Sequence, residues 1–422
     1  MKRHLLVLLL LAIPQSVHSQ VIAIKAGRLL HPETGAVALN QIILVENGKI
    51  HAVGPNLSLP SGASVIDLSS ATVLPGLFDA HTHLCQNITH LAEPRNATEM
   101  LRGVLTYTVT TTTGYRALVG AANARSMLEA GFTTVRDVGN AANYADSDLR
   151  RAVEEGLVPG PTIINAGRII TPTGGQFPGI LNPERRDLGN PEYSYADTRD
   201  ELRKAIRENI LYGARVIKIV VDDQPYIYSA DDIRFVVEEA RQAGLKVAAH
   251  TLTEQGARNA AEAGVASIEH GLMMPDEVLE LAKRNRVVLV GTDFTKEYAI
   301  ALGIPEYHAT AVDRLQRAYE IGTTIAYGTD IFSAGVPGKT FGELAVSYIE
   351  SFLEAGIPPQ AILKMMTINA AQLLGVDEER GAIEPGMAAD IIATRDNPLE
   401  NIQSLKQVVF VMKDGKVFKR GL

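Results

Sequence analysis

The run Leu74-Pro-Gly-Leu-Phe-Asp-Ala-His-Thr-His-Leu84 decides how this chain is read. Its apolar residues lead into a His-x-His pair, His81 and His83, and side chains two apart on a β-strand point to the same side. Both imidazoles then face one place. Two such nitrogens can share a metal ion, and catalytic zinc sites commonly use three protein ligands, leaving a position for water or substrate. A His-x-His alone is weak evidence, because two ordinary core or surface histidines give the same pattern. The pair needs further ligands from elsewhere.

Working outward, residues 75–374 repeat a short apolar strand, a polar or glycine-containing break and a helix-length amphipathic run. The pattern predicts strands at Gly76–His83, Thr133–Val138, Thr162–Ala166, Val216–Val221, Lys246–His250, Ser267–His270, Val287–Gly291 and Thr324–Gly328. It predicts helices at Ala117–Ala130, Thr198–Tyr212, Ser229–Ala243, Thr253–Ala263, Asp276–Arg284 and Ala309–Ile321. Eight strands alternating with helices argue for an α/β fold, a (β/α)8 TIM barrel. An open doubly wound sheet is the alternative. Residues 20–74 and 375–422 read differently, as short alternating strands with hairpin signals at Asn47-Gly48 and Asp414-Gly415. These two ends are expected to build one small β-sandwich around the inserted barrel.

Residues 1–19 carry Lys2 and Arg3 ahead of the apolar run Leu5 to Ile13, and end at Val17-His18-Ser19. This is the pattern of a signal peptide cleaved before Gln20, and the run is too short to span a bilayer. Export to the periplasm or the medium is expected, with no membrane attachment after cleavage. An apolar first strand of the fold is the plainer alternative. Losing those two positive charges takes the formal charge from −8 to −10. With that charge and no basic stripe, nucleic acid is excluded as a partner, and a small-molecule or dipeptide substrate fits better. At 422 residues with 46% hydrophobic content the chain has ample core, and self-association is left open. Its single cysteine, Cys85, makes no internal disulfide and reads as a small buried hydrophobe.

In such barrels the chemistry sits at the carboxyl ends of the strands. Five of the eight predicted strands carry a metal-capable residue there. The first gives His81 and His83, the fourth Lys218, the fifth His250, the sixth His270 and the eighth Asp330. Lys218 sits among β-branched residues, so it is a neutral amine of lowered pKa, or it is paired or modified. Each residue has an ordinary reading of its own, a hydrogen-bonded core histidine or a helix-capping aspartate. Their joint occurrence at strand termini points to a metal site.

These residues, together with Gly328-Thr-Asp330 and the tail Gly381-Ala-Ile-Glu-Pro-Gly-Met-Ala-Ala-Asp390, resemble the amidohydrolase superfamily over essentially the whole mature chain. The nearest likeness is to the branch with imidazolonepropionase-like proteins, Xaa-Pro dipeptidases and ochratoxin-hydrolysing amidases. The resemblance implies two divalent metal ions, zinc by preference. His81, His83 and Asp330 would hold the inner ion and His250 and His270 the outer one. Lys218, carboxylated to a carbamate, would bridge them. It implies a hydroxide shared by the two ions as nucleophile, with Asp330 as general base and then acid.

The expected function is hydrolysis of the amide bond of a dipeptide or N-acyl amino acid, including ochratoxin-type amides. Cyclic-amide hydrolysis or deamination on the same scaffold is the alternative, and a catalytically silent binding protein a remote one. Deaminases of the superfamily usually lack the strand-four lysine, so Lys218 argues against that version. Substrate contacts are expected from Arg136 at the end of strand two, Gln176 after strand three, and Tyr226 and Tyr228 after strand four. Many relatives carry histidine where Gln176 stands. His90 and His308 read as solvated bystanders.

Overall fold

The computed structural model describes residues 21–88, 94, 96–177, 182–332, 336 and 338–421. The expected signal peptide and His90 lie outside them. Four strands open the chain: β1 (Ile22–His31), β2 (Ala36–Glu46), β3 (Lys49–Gly54) and β4 (Ser64–Pro75). The barrel strands follow as β5 (Leu77–Thr82), β6 (Phe132–Asp137), β7 (Thr162–Asn165), β8 (Ile169–Thr171), β9 (Tyr193–Tyr195), β10 (Ile217–Val220), β11 (Val247–Thr251), β12 (Ser267–His270) and β13 (Val288–Val290). The chain closes with β14 (Ile391–Thr394), β15 (Phe410–Lys413) and β16 (Lys416–Arg420).

Both chain ends meet in one seven-stranded sheet, ordered β16-β15-β14-β4-β1-β2-β3. At the Asn47-Gly48 turn φ is +51° and +77°, and at Asp414-Gly415 it is +48° and +74°. Positive φ at both central residues is what a two-residue hairpin turn needs to match strand twist. The sheet folds over on itself: Gly386 N donates to Ile50 O (2.8 Å) and Ala389 N to Gly48 O (2.9 Å), tying β3 to the segment that leads into β14. Inside lie Ile24 and Val73 from one end of the chain and Ile391, Phe410 and Met412 from the other. The expected sandwich is thus a single continuous sheet wrapped on one core.

The intervening segment forms the (β/α)8 barrel. Parallel pairing runs from β5 through β6 to β7, and from β8 through β10, β11 and β12 to β13. The third staves divide in two because Gly167, at φ +71°, kinks the chain between β7 and β8. The predicted eighth strand is an extended segment held by bridges from Ile325 to Leu289 and from Ile331 to Thr82. Ala80 N donates to Tyr327 O (2.8 Å) and Asp330 N to His81 O (2.7 Å), closing the ring beside β5.

The helices fall close to their predicted places, for local reasons. Arg199–Leu211 begins at a Thr198/Glu201 capping box, and Ala230–Gln242 and Glu254–Ala263 are capped by Ser229 and Thr253. The helix predicted from Ala309 starts a turn earlier, with Pro305 at its first position, where a missing N–H costs nothing. Among the described residues no helix is long and apolar enough to cross a membrane.

Candidate active site

His81 and His83 leave β5 on the same side, as their spacing requires. His81 Nδ1 lies 2.7 Å from Glu269 Oε2, and a carboxylate only accepts, so Nδ1 carries the proton and Nε2 presents a lone pair. That Nε2 is buried, has no hydrogen-bond partner and stands 3.4 Å from Asp330 Oδ1. His83 Nδ1 donates to Gly139 O (2.8 Å), which directs its Nε2 toward Asp330 Oδ1, 3.0 Å away. The unpartnered lone pair of His81 Nε2, with His83 Nε2 and the Asp330 carboxylate turned to the same point, is an arrangement that a cation satisfies. The donor chemistry of these residues therefore fits a divalent metal ion.

Asp330 reaches the same point from the barrel-closing segment, with φ at +56°. Burial pushes its carboxyl up, but His81, His83 and His270 outweigh this and hold it well below the usual carboxylate range. His270, at φ +64°, bonds Thr292 Oγ1 through Nδ1 (2.8 Å), and its ring centre is 5.2 Å from that of His81 and 4.4 Å from that of His250. Burial drives His270 well below the ordinary imidazole value, which keeps it neutral and able to ligate. Lys218 on β10 is 2% exposed, and its Nζ has no hydrogen-bond partner. Burial lowers it to about 8, against the pull of Glu269 and Asp330.

All six expected ligands line one cavity of about 410 Å³. Their grouping differs from the expected one. Ligating atoms of His81, His270 and Asp330 lie within 4.8 Å of one another, while His250 groups with Asp222 and Asp223. His250 Nε2 is 2.7 Å from Asp223 Oδ1.

Of the expected substrate contacts, Gln176 alone is on the cavity wall. Its Nε2 donates to Asp223 Oδ2 (2.6 Å) and its Oε1 accepts from Tyr193 Oη (3.2 Å). Arg136 lies off the cavity wall, each of its three guanidinium nitrogens engaged, by Ala80 O (2.6 Å), Ser267 Oγ (2.9 Å) and Glu269 Oε1 (2.7 Å). Tyr228 is buried and donates to Ala196 O (2.6 Å), while Tyr226 is half exposed and donates to Thr173 O. Packing and internal hydrogen bonds thus take three of the four contacts away from the cavity. His308 is buried, bonded to Phe294 O (2.8 Å) and Glu354 (2.9 Å), so the solvated reading of it is corrected. Cys85 is buried as expected, and burial pushes its thiol up.

Sequence reasoning passed over Glu269, Asp222 and Asp223. A signal existed for each. Glu269 is an acid in an otherwise closed strand, which demands a partner, and the Asp222-Asp223 pair directly follows the apolar run of the fourth strand.

The sequence profile described as the amidohydrolase family matches residues 72–418. Ochratoxinase of Aspergillus niger is 29% identical, covering 97% of this chain and 89% of its own. Its crystal structure superposes with a TM-score of 0.78 at 26% identity, covering 96% of each chain. A Xaa-Pro dipeptidase crystallised with methionine in its active site gives a TM-score of 0.82 at 28% identity, covering 95% of this chain and 100% of that one. Imidazolonepropionase of Fusobacterium nucleatum subsp. nucleatum is 26% identical over 83% of this chain and 84% of its own.

Proposed function

The chain belongs to the amidohydrolase family and is a hydrolase of carbon–nitrogen bonds, and from that premise we propose an exported, binuclear metal-dependent enzyme that cleaves the amide bond of a dipeptide or N-acyl amino acid, ochratoxin-type amides included. The observation that carries this reading is the pair of buried, unpartnered nitrogens, His81 Nε2 and Lys218 Nζ, in a cavity that also holds an ionised Asp330.

His81, His83 and Asp330 would hold the inner ion, and His250 and His270 the outer one. Both ions are proposed to be zinc. At about 8, Lys218 keeps a usable fraction of neutral amine at neutral pH, able to take up carbon dioxide at Nζ. The resulting carbamate replaces a buried, unpartnered ammonium by an anionic oxygen ligand. When bound, the ions supply Lewis acidity toward a water and toward the amide carbonyl. Asp330 takes the proton from the attacking water and hands it to the departing amine. Met100, Leu101, Val104, Phe177, Phe294 and Phe332 form an apolar wall that excludes water and receives the substrate's apolar groups. Gln176 is the proposed polar contact on that wall. Arg136 acts at a distance, through Glu269 on His81.

The imidazolonepropionase match favours cyclic-amide hydrolysis as a second reading. Lys218 at the cavity wall argues for two ions and so against a one-ion deaminase. Residues 1–19 are read as an export signal, and the protein recovered from outside the cytoplasm is expected to begin at Gln20 by N-terminal sequencing. The functional test is a screen of the metal-loaded protein on dipeptides, N-acyl amino acids and cyclic amides, with Asp330→Asn as the blank. Linear amides are expected to turn over at least about 100-fold faster than with the variant. Equal rates would remove Asp330 as proton carrier, and turnover of cyclic amides alone would select the second reading.

A further inference from the structure

We infer that Asp223 is a ligand of the outer metal site, standing outside the six residues assigned above, so that this ion is held by a carboxylate as well as by imidazole. The inference rests on the two-ion reading. The apolar run of β10 ends in two adjacent carboxylates with different work. Asp222 accepts from Leu252 N (2.9 Å), Thr253 N (2.8 Å) and Thr253 Oγ1 (2.6 Å), so it fastens the chain after β11 and is fully engaged. Asp223 keeps an oxygen for the cavity. Its Oδ2 accepts from Gln176 Nε2 (2.6 Å), and Gln176 is itself held by Tyr193 Oη (3.2 Å). That anchor turns Oδ1 to His250 Nε2, 2.7 Å away.

Zinc binds imidazole nitrogen and carboxylate oxygen at about 2.0–2.2 Å, which sets the two atoms roughly 3.3 Å apart in a tetrahedral shell. The His250–Asp223 pair needs to open by well under an ångström to admit the ion. The other acid grouped with His250, Asp222, is taken up by Leu252 and Thr253, while Asp330 groups with His81 and His270. Lys218 Nζ, buried and unpartnered, lines the same cavity as this pair. An oxygen donor here also broadens the outer site toward manganese, which carboxylate suits better than thiolate or imidazole alone.

The competing arrangement has Asp223 only accept a hydrogen bond from His250, with the ring ligating through its other nitrogen. Metal titration separates the two. Metal-free protein is titrated with Zn²⁺ and, in parallel, with Co²⁺, reading bound metal after dialysis and the visible absorption of cobalt. The parent is expected to take up two equivalents. Asp223→Asn should keep the first with parental affinity and bind the second at least about 100-fold more weakly, and Asp223→Glu should recover part of the loss. Gln176→Leu, which leaves the carboxylate but removes its anchor, should weaken the second equivalent about tenfold. It also guards against a folding defect in the asparagine variant. A second equivalent within threefold of the parent in both Asp223→Asn and Gln176→Leu, with unchanged cobalt absorption, would overturn the assignment while leaving the two-ion reading intact. A parent that takes up one ion only would overturn that reading and this assignment with it.

Discussion

His81 Nδ1 lies 2.7 Å from one oxygen of Glu269, and Arg136 Nη2 lies 2.7 Å from the other. One buried carboxylate therefore neutralises a buried guanidinium and fixes the tautomer of an expected metal ligand. Burial pushes Glu269 up, but Arg136, His81 and Lys218 outweigh it and bring the carboxyl to about 2.

Removing that charge is expected to act twice. Glu269→Gln leaves Arg136 buried beside a neutral amide, which should cost about 3–5 kcal/mol of stability in denaturant unfolding. The loss of a partner that orients a ligating histidine should weaken metal binding about 10–100-fold. The pH dependence follows from the sign of the shift. A carboxyl depressed from 4.5 to about 2 contributes stability that is fully present above about pH 4.5 and is lost as pH falls toward 2. The parent's acid-unfolding curve should show that decline, and the variant's should be flatter over the same window.

Lys218→Ala is expected to lower bound metal below two equivalents, with partial recovery in a short carboxylic acid that replaces the carbamate. In the parent, ¹³C-bicarbonate should give a carbamate carbon signal by NMR that the variant lacks. Full metal content in the variant would remove the bridging role.

Gly328 sits where the barrel-closing segment passes β5. A Cβ there would collide with Val290 Cγ1 and stand 3.0 Å from His81 Cβ. Gly328→Ala should push Asp330 away from His81 and reduce metal affinity, in a protein whose circular dichroism remains that of the parent. Unchanged affinity would mean that the segment yields without moving Asp330.

Phe410, fully buried in β15, packs in the core that joins the two chain ends. Phe410→Ala is expected to destabilise the protein by about 3–5 kcal/mol in denaturant unfolding. A loss below about 1 kcal/mol would show that the sheet core collapses around the gap.

The barrel was legible because its strands are apolar runs buried on both faces and its helices carry their own caps, Thr198 with Glu201 and Ser229 among them. The hairpins were legible because Asn47-Gly48 and Asp414-Gly415 supply the left-handed residues such turns demand. The eighth stave was only half legible. Thr324–Gly328 has a strand's composition, yet it and the residues that follow pair through isolated bridges, Ile325 to Leu289 of the three-residue β13 and Ile331 to Thr82 of β5.

The sequence by itself determined which residues are available to ligate metal, because His81, His83, Lys218, His250, His270 and Asp330 each end or interrupt an apolar strand where an unpaired polar group needs a purpose. Tertiary structure decided how polar groups pair across the barrel. Strand alternation tells which side a side chain takes, but not which of several acids it meets there. Arg136, read from position alone as a substrate contact, is turned inward by Glu269, and His250 meets Asp223, because a buried charge is costly unless paired and these partners lie 133 and 27 residues away in the chain.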